Sequence, residues 1–324
     1  MAEILMQSTH DASITPELGR RLLTKMRQIR QFQERIIRIY PTDVMVTPVH
    51  LHIGQEAVPV GVCAHLRDED TLFFGHRTQG PALAKGMPMP LLMAELYGRT
   101  TGCSKGFGGS MHVVDARHGM LGSSAIVGGN IALGVGSALA AKLRGEDRVA
   151  VSYFGDGATD AGVFWESLNF AALKQLPVLF VCENNGLSNV MPKAEHMFAE
   201  LSQIARPFMP TFTADGTDVL AVHSAAGEAV AAVRRRRAPA FLECRTKRWM
   251  KHQGVERDDL EYNPSNPETD CPIGKLERTL LRRGLLTLAE IQEMASDIES
   301  QIDEAIAFAV QSPLPGPADL LREV

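Results

Sequence analysis

Residues 154–185 read FGDGATDAGVFWESLNFAALKQLPVLFVCENN, and the reading of this stretch decides the fold. It completes VAVSYF (Val149 to Phe154), a run rich in β-branched and aromatic side chains that reads as a strand. Gly155-Asp156-Gly157 breaks that strand, and Ala161 to Gln175 then carries Phe164, Leu168, Ala171 and Ala172 on one helical face. Pro177 opens VLFVC (Val178 to Cys182), a continuous apolar run that suits a strand buried on both faces. A strand, a crossover helix and a second strand imply parallel pairing. A third run, AFLECRT, covers Ala240 to Thr246. The expected fold is α/β, a doubly wound, mainly parallel sheet with helical ends.

In an open parallel sheet, ligands bind beyond the carboxyl ends of the strands. Asp156 and Asn185 each follow a strand, with one crossover between them, so neighbouring strands would bring both side chains to one point. A carboxylate, an amide oxygen and a backbone carbonyl are hard ligands, suited to magnesium or calcium rather than zinc. Gly155 and Gly157 let the backbone approach an anion, and the N–H groups opening the next helix can bind it. A lone G-D-G is usually a turn. Followed by a helix, a buried strand and N-N, it points to a metal–phosphate site instead.

Outward from this unit, Thr15-Pro16-Glu17 reads as a helix N-cap with proline in the first turn. Leu18, Leu22, Met26, Ile29, Ile36 and Ile37 then recur at helical spacing up to Tyr40-Pro41. This amphipathic helix reads either as peripheral or as a subunit contact. Gly128 to Leu143 is a small-residue helix fit for close packing on a strand or a second subunit. A polar loop runs from His252 to Cys271, and amphipathic helices follow as far as Pro313-Leu314-Pro315-Gly316. The organisation expected is an N-terminal helical extension over 1–43, an α/β domain over 44–270 and a helical tail over 271–324.

The 324 residues are 45% hydrophobic and 22% charged with net charge −5, which argues against nucleic-acid binding through phosphates. The one basic block, Arg234 to Arg237, falls where it favours the end of an Ala/Val-rich helix. Five scattered cysteines without a C-x-x-C pair suggest a reducing compartment and no zinc site. No secretory signal opens the chain and no apolar run reaches the roughly 18 residues of a membrane span, so a cytoplasmic protein is expected.

The motif G-D-G-x(26)-N-N is the thiamine diphosphate signature. HLHIGQEAVPVGV, GHRTQGPALAKG, MAELYGRTTGCSKGFGGSMHVVD and IVGGNIALGVGSALAAKL resemble the alpha subunit of the first component of 2-oxo acid dehydrogenase complexes. That family includes pyruvate, branched-chain 2-oxo acid and acetoin dehydrogenases. The resemblance runs from about Leu18 to the tail PGPADLLREV. It implies that Asp156 and Asn185 ligate Mg2+ with the carbonyl of Leu187. Gly157 and Ala158 would line the diphosphate, Arg77 and His252 would contact it, and His76 stands where many relatives have tyrosine. Ala125 and Val127 would lie beside the pyrimidine, while His50 would face the substrate channel as a catalytic candidate with His252. The resemblance also implies a beta subunit in an α2β2 heterotetramer, which supplies the carboxylate that activates thiamine diphosphate, and an acyl-accepting lipoyl-bearing partner.

Other histidines need weighing. His50 beside His52 could be a surface pair or a metal pair, and a zinc reading fails for want of a third ligand at sensible spacing. His112 reads equally as structural or catalytic; His10, His65, His118, His196 and His223 read as structural or solvated. The chain also departs from the family. Gln79 replaces a usual histidine and cannot shuttle a proton, which predicts either a substrate such as an acyloin or diketone over pyruvate, or a glutamine that merely keeps one hydrogen bond while the beta chain sets specificity. Gly122-Ser123-Ser124-Ala125 is more polar than the usual loop, and Gln253 stands in place of a phosphorylatable serine. Two alternatives follow: a two-chain carboligase or acyloin-cleaving enzyme without a lipoyl partner, and a non-catalytic regulatory subunit.

Overall fold

The computed structural model describes residues 14–45, 47–258 and 266–321. The N-terminal residues, His10 among them, and the centre of the polar loop at 259–265 lie outside it. Six parallel strands form the sheet: β1 (Thr71–Phe74), β2 (Met120–Ser123), β3 (Ala150–Gly155), β4 (Val178–Asn184), β7 (Thr211–Asp215) and β8 (Ala240–Arg245). Their spatial order is β2-β1-β3-β4-β8-β7, and every pairing is parallel. Beside them, β5 (Leu187–Ser188) and β6 (Met191–Pro192) make a small antiparallel pair.

All seven residues of β4 are buried. Period-2 alternation sorts the strand residues onto two cores. Val151, Tyr153, Leu179, Val181 and Leu242 point into one; Ala150, Phe154, Phe180, Cys182 and Phe241 point into the other. Helices α5 (Gly129–Arg144) and α6 (Gly162–Leu173) cover the second face through Ile131, Val135, Phe164 and Leu168. Gly134 permits this approach, because a Cβ there would lie 3.1 Å from Ser152 Cβ.

On the first face lie α1 (Pro16–Ile39), α2 (Ala57–Cys63), α3 (Gln79–Lys85), α4 (Met89–Leu96) and α8 (Val219–Arg236). The tail adds α10 (Pro272–Arg282) and α11 (Leu288–Gln311); α7 (Leu201–Ala205) and α9 (Pro267–Asp270) are short. Thr15 caps α1, its hydroxyl accepting from Leu18 N–H at 3.2 Å. The apolar face of α1 is covered within this chain: Leu22, Met26, Ile29, Phe32 and Ile36 share a core with Leu276, Leu280 and Ile298. Arg35 adds ion pairs to Glu299 and Asp303 of α11. The subunit contact considered for this helix is therefore not made by its apolar stripe.

A glycine-rich loop after α4 is shaped from inside. The fully buried Glu95 accepts N–H bonds from Ser104 at 2.7 Å, Gly106 at 2.9 Å, Gly108 at 2.8 Å and Gly109 at 3.0 Å. No helix among the described residues is long and apolar enough to cross a membrane.

Candidate active site

The strand order reverses between β1 and β3, and the crevice beyond their carboxyl ends is where a doubly wound sheet takes its ligand. A cavity of about 310 Å³ opens there, lined by segments that follow β1, β2, β3, β4 and β8. Its size is that of a small-molecule site.

Parallel register sets Gly155 opposite Glu183, so the residues just beyond, Asp156 and Asn185, leave the sheet side by side. Asp156, 1% exposed, opens a 3-10 turn, and its Oδ1 accepts from Asn185 N–H at 3.3 Å. Its Oδ2 is buried without a partner among the described residues. Burial, the largest influence, pushes this carboxyl up to about 6, against N–H donors from its own backbone and Asn185. Asn185 Oδ1 accepts from Leu187 N–H at 3.1 Å, and its Nδ2 donates to Gln55 Oε1 at 3.0 Å. An amide oxygen has a second lone pair, so Oδ1 remains able to bind a cation. Asn185, Leu187, Gly157 and Ala158 all line the cavity. At Gly157 a Cβ would lie 2.7 Å from Ser188 Oγ and 3.1 Å from Ser188 Cα, so a side chain there would crowd Ser188.

Two guanidiniums, Arg77 half-buried and Arg248 buried, line the same cavity. Arg77, following β1, donates to the carbonyls of Leu51 at 2.6 Å and His252 at 3.3 Å. Burial, reinforced by the charge of Arg248, pulls Arg77 down to about 9. Arg248, 1% exposed, donates to Asp258 and to the Asn189 carbonyl at 2.7 Å. A buried cation whose hydrogen bonds go to neutral carbonyls is suited to receive an anion.

Three imidazoles from three loops meet beside Arg77. Ring centroids are 4.6 Å apart for His50 and His76, 5.2 Å for His50 and His252, and 5.1 Å for His76 and His252. Burial first, then Arg77, holds His50 at about 3, His76 at about 2 and His252 at about 4. His52 turns away from them, its Nε2 2.9 Å from Glu183 Oε1. The third imidazole missing from the sequence reading of this region is thus provided twice over, but around His50 rather than His52.

Of the other expected site residues, Val127 lines the cavity and is 54% exposed, whereas Ala125 does not reach the lining. Gln79 is fully buried in the first turn of α3, away from the cavity wall, with both amide atoms unpartnered among the described residues. Exposed His112 engages through its carbonyl, which accepts from Ser104 Oγ. Sequence reasoning missed Gln55, Glu183 and Arg248. Arg248 had a signal, since it follows a strand at the ligand-binding end of the sheet beside Trp249-Met250.

An unpartnered acid oxygen, an amide oxygen and two guanidiniums thus gather at a switch point of the sheet, groups that could hold a hard cation and an anion. The model of the dehydrogenase E1 component family matches residues 24–318. The alpha subunit of acetoin:2,6-dichlorophenolindophenol oxidoreductase from Bacillus subtilis (strain 168) is 39% identical over 320 residues, covering 96% of this chain and 95% of that protein. The Cupriavidus necator protein of that name is 37% identical over 329 residues, covering 98% of each. The pyruvate dehydrogenase E1 component subunit alpha of Zymomonas mobilis is 37% identical over 307 residues, covering 93% of this chain and 86% of that one. The chain belongs to the dehydrogenase E1 component family, as a subunit of the alpha type.

Proposed function

We propose that this chain anchors the diphosphate of thiamine diphosphate, through Mg2+, in a two-chain dehydrogenase that oxidises acetoin or a 2-oxo acid. Membership of the family implies the cofactor. The observation that carries the anchoring role is the buried, unpartnered Oδ2 of Asp156, held between Gly155 and Gly157, which line the same cavity as Arg77 and Arg248. Mg2+ would take Asp156, the Asn185 amide and the Leu187 carbonyl as hard oxygen ligands. The diphosphate would meet Arg77, Arg248, His252 and the Gly157–Ala158 backbone, with His76 alongside; Ala125 and Val127 would sit toward the pyrimidine end. Bound thiamine diphosphate supplies a carbanion nucleophile and an electron sink. This chain's residues fix the anchored end, and neutral His252, which lines the cavity, can accept or donate a proton there, with His50 beside it.

A beta subunit completes the site in an α2β2 assembly. Around the cavity and on α5 and α6, Ile126, Val127, Leu133, Trp165 and Phe170 are exposed apolar side chains, the composition of a surface awaiting a partner. Obligate interfaces of this kind bury about 2,000 Å² or more. A lipoyl-bearing acyltransferase is the acyl acceptor. The five free cysteines suit the cytoplasm.

Co-expression with a beta chain of the same family tests the reading. The complex should gain thermal stability from thiamine diphosphate only with Mg2+, reduce an artificial dye with acetoin or pyruvate, and acylate a lipoyl domain. A complex indifferent to thiamine diphosphate would refute the anchoring role; dye reduction without lipoyl acylation would remove the acyl acceptor.

A further inference from the structure

His50, His76 and His252 each offer a ring nitrogen, and these nitrogens all lie within 4.8 Å of one another. They come from the segment before α2, the loop after β1 and the loop after β8. The rings meet at angles of 55° to 82°, so their edges converge rather than their faces stacking. His50 is 5% exposed, and its Nδ1 is buried without a partner among the described residues. We infer that these three histidines form a site for a borderline divalent transition ion, Zn2+ being the type case, distinct from the hard-cation site at Asp156.

The chemistry separates the two sites. Imidazole nitrogen suits zinc, nickel and copper, while magnesium prefers oxygen and keeps its water. Zinc–nitrogen bonds of about 2.0–2.1 Å place two ligands of a tetrahedron roughly 3.4 Å apart, so the rings must close by about an ångström. His76 and His252 are only half-buried and can rotate that far. Three protein nitrogens leave the fourth position facing the cavity. The surrounding positive charges disfavour a cation, Arg77 acting on all three imidazoles and Arg248 on His252. Arg77 opposes it, Glu183 lies near Arg77, and Arg248 is already paired with Asp258. Affinity should therefore fall below that of a dedicated zinc enzyme. His76, His252 and Arg77 line the same cavity, so occupation by zinc should exclude a diphosphate there; that corollary alone rests on the cofactor reading.

The full-length chain titrated with Co2+, without thiamine diphosphate, should bind one equivalent with the intense visible absorption of a four-coordinate ion. Zn2+ should abolish the band, whereas excess Mg2+ should leave it. Loss of an outer-shell partner already costs about 10–100-fold in metal affinity, so His76→Phe should weaken binding by more than ~100-fold. His112→Ala, which alters an exposed histidine outside the site, should bind as wild type does. If His76→Phe fails to fold by circular dichroism, His252→Gln carries the same expectation. A folded wild-type chain without the band, or a band undiminished in a folded His76→Phe or His252→Gln chain, overturns the site.

Discussion

The backbone N–H of Asn185 donates to Oδ1 of Asp156 at 3.3 Å, across the boundary between β4 and β3, and leaves Oδ2 of that buried carboxyl without a partner among the described residues. One oxygen is held in place and the other is free to bind. Moving the carboxyl from 3.8 to about 6 corresponds to roughly 3 kcal/mol. The folded-state value is raised, so the stabilising contribution is full below about pH 4 and is lost as pH rises through about 6. A cation on Oδ2 would offset that loss. Asp156→Asn should therefore flatten this part of the pH profile and be at least as stable as wild type at pH 7.5 without metal. It should also lose all Mg2+-dependent protection by thiamine diphosphate in thermal denaturation of the assembled enzyme. Protection equal to wild type would disprove the ligand assignment.

Arg77 is held by two backbone carbonyls from different loops, a geometry that a fork of N–H donors satisfies and an ammonium does not. Arg77→Lys should weaken thiamine diphosphate binding about 10-fold or more, since a charge-assisted hydrogen bond is worth about 1.5–3 kcal/mol. Calorimetry on the α2β2 complex would measure it. Wild-type affinity in the variant would mean that the diphosphate lies elsewhere.

Gln79 lies in the buried first turn of α3 rather than on the cavity wall. A charge there could act on substrate only through packing. Gln79→His should thus change kcat/KM for pyruvate and acetoin by the same factor. A ratio shifted several-fold toward pyruvate would restore the charge argument made from sequence.

Acid should loosen the contact between α2 and α8. His65 and His223 lie with ring centroids 4.2 Å apart, and burial lowers both, His223 to about 4. Depressed histidines leave stability intact above about pH 6.5 and withdraw it as pH falls toward 4. Asp156 acts in the opposite direction over part of that range, so the comparison must be between variants. A His65→Gln/His223→Gln chain should lose less stability than wild type between pH 6.5 and 4. Parallel profiles would exclude the pair as a source of acid sensitivity.

The parallel sheet and the meeting of Asp156 with Asn185 were legible because a strand, a crossover and a strand encode neighbours by their order alone. The histidine trio was not legible. His50, His76 and His252 come from three loops, and only the register of β1 beside β3 and the crossing of the loop after β8 bring them together. Periodicity revealed that α1 has an apolar face but not what covers it, because helices from the far end of the chain do so. Arg248 was overlooked because its one signal, a place just past a strand end, is shared by many arginines, and its 1% exposure is what sets it apart in the fold.

Glu95 has a different kind of consequence. With four N–H groups of the Ser104–Gly109 loop converging on its two oxygens, that glycine-rich segment is a cradle already filled by its own chain. SKGFGGS, over residues 104–110, is a glycine-rich segment, as GDGA is. In the fold the amides of the first are already engaged by the Glu95 carboxylate inside it. Ligand competition among the glycine-rich loops of this protein is thus decided before any ligand arrives, by a glutamate fourteen or fewer residues upstream of every amide it binds.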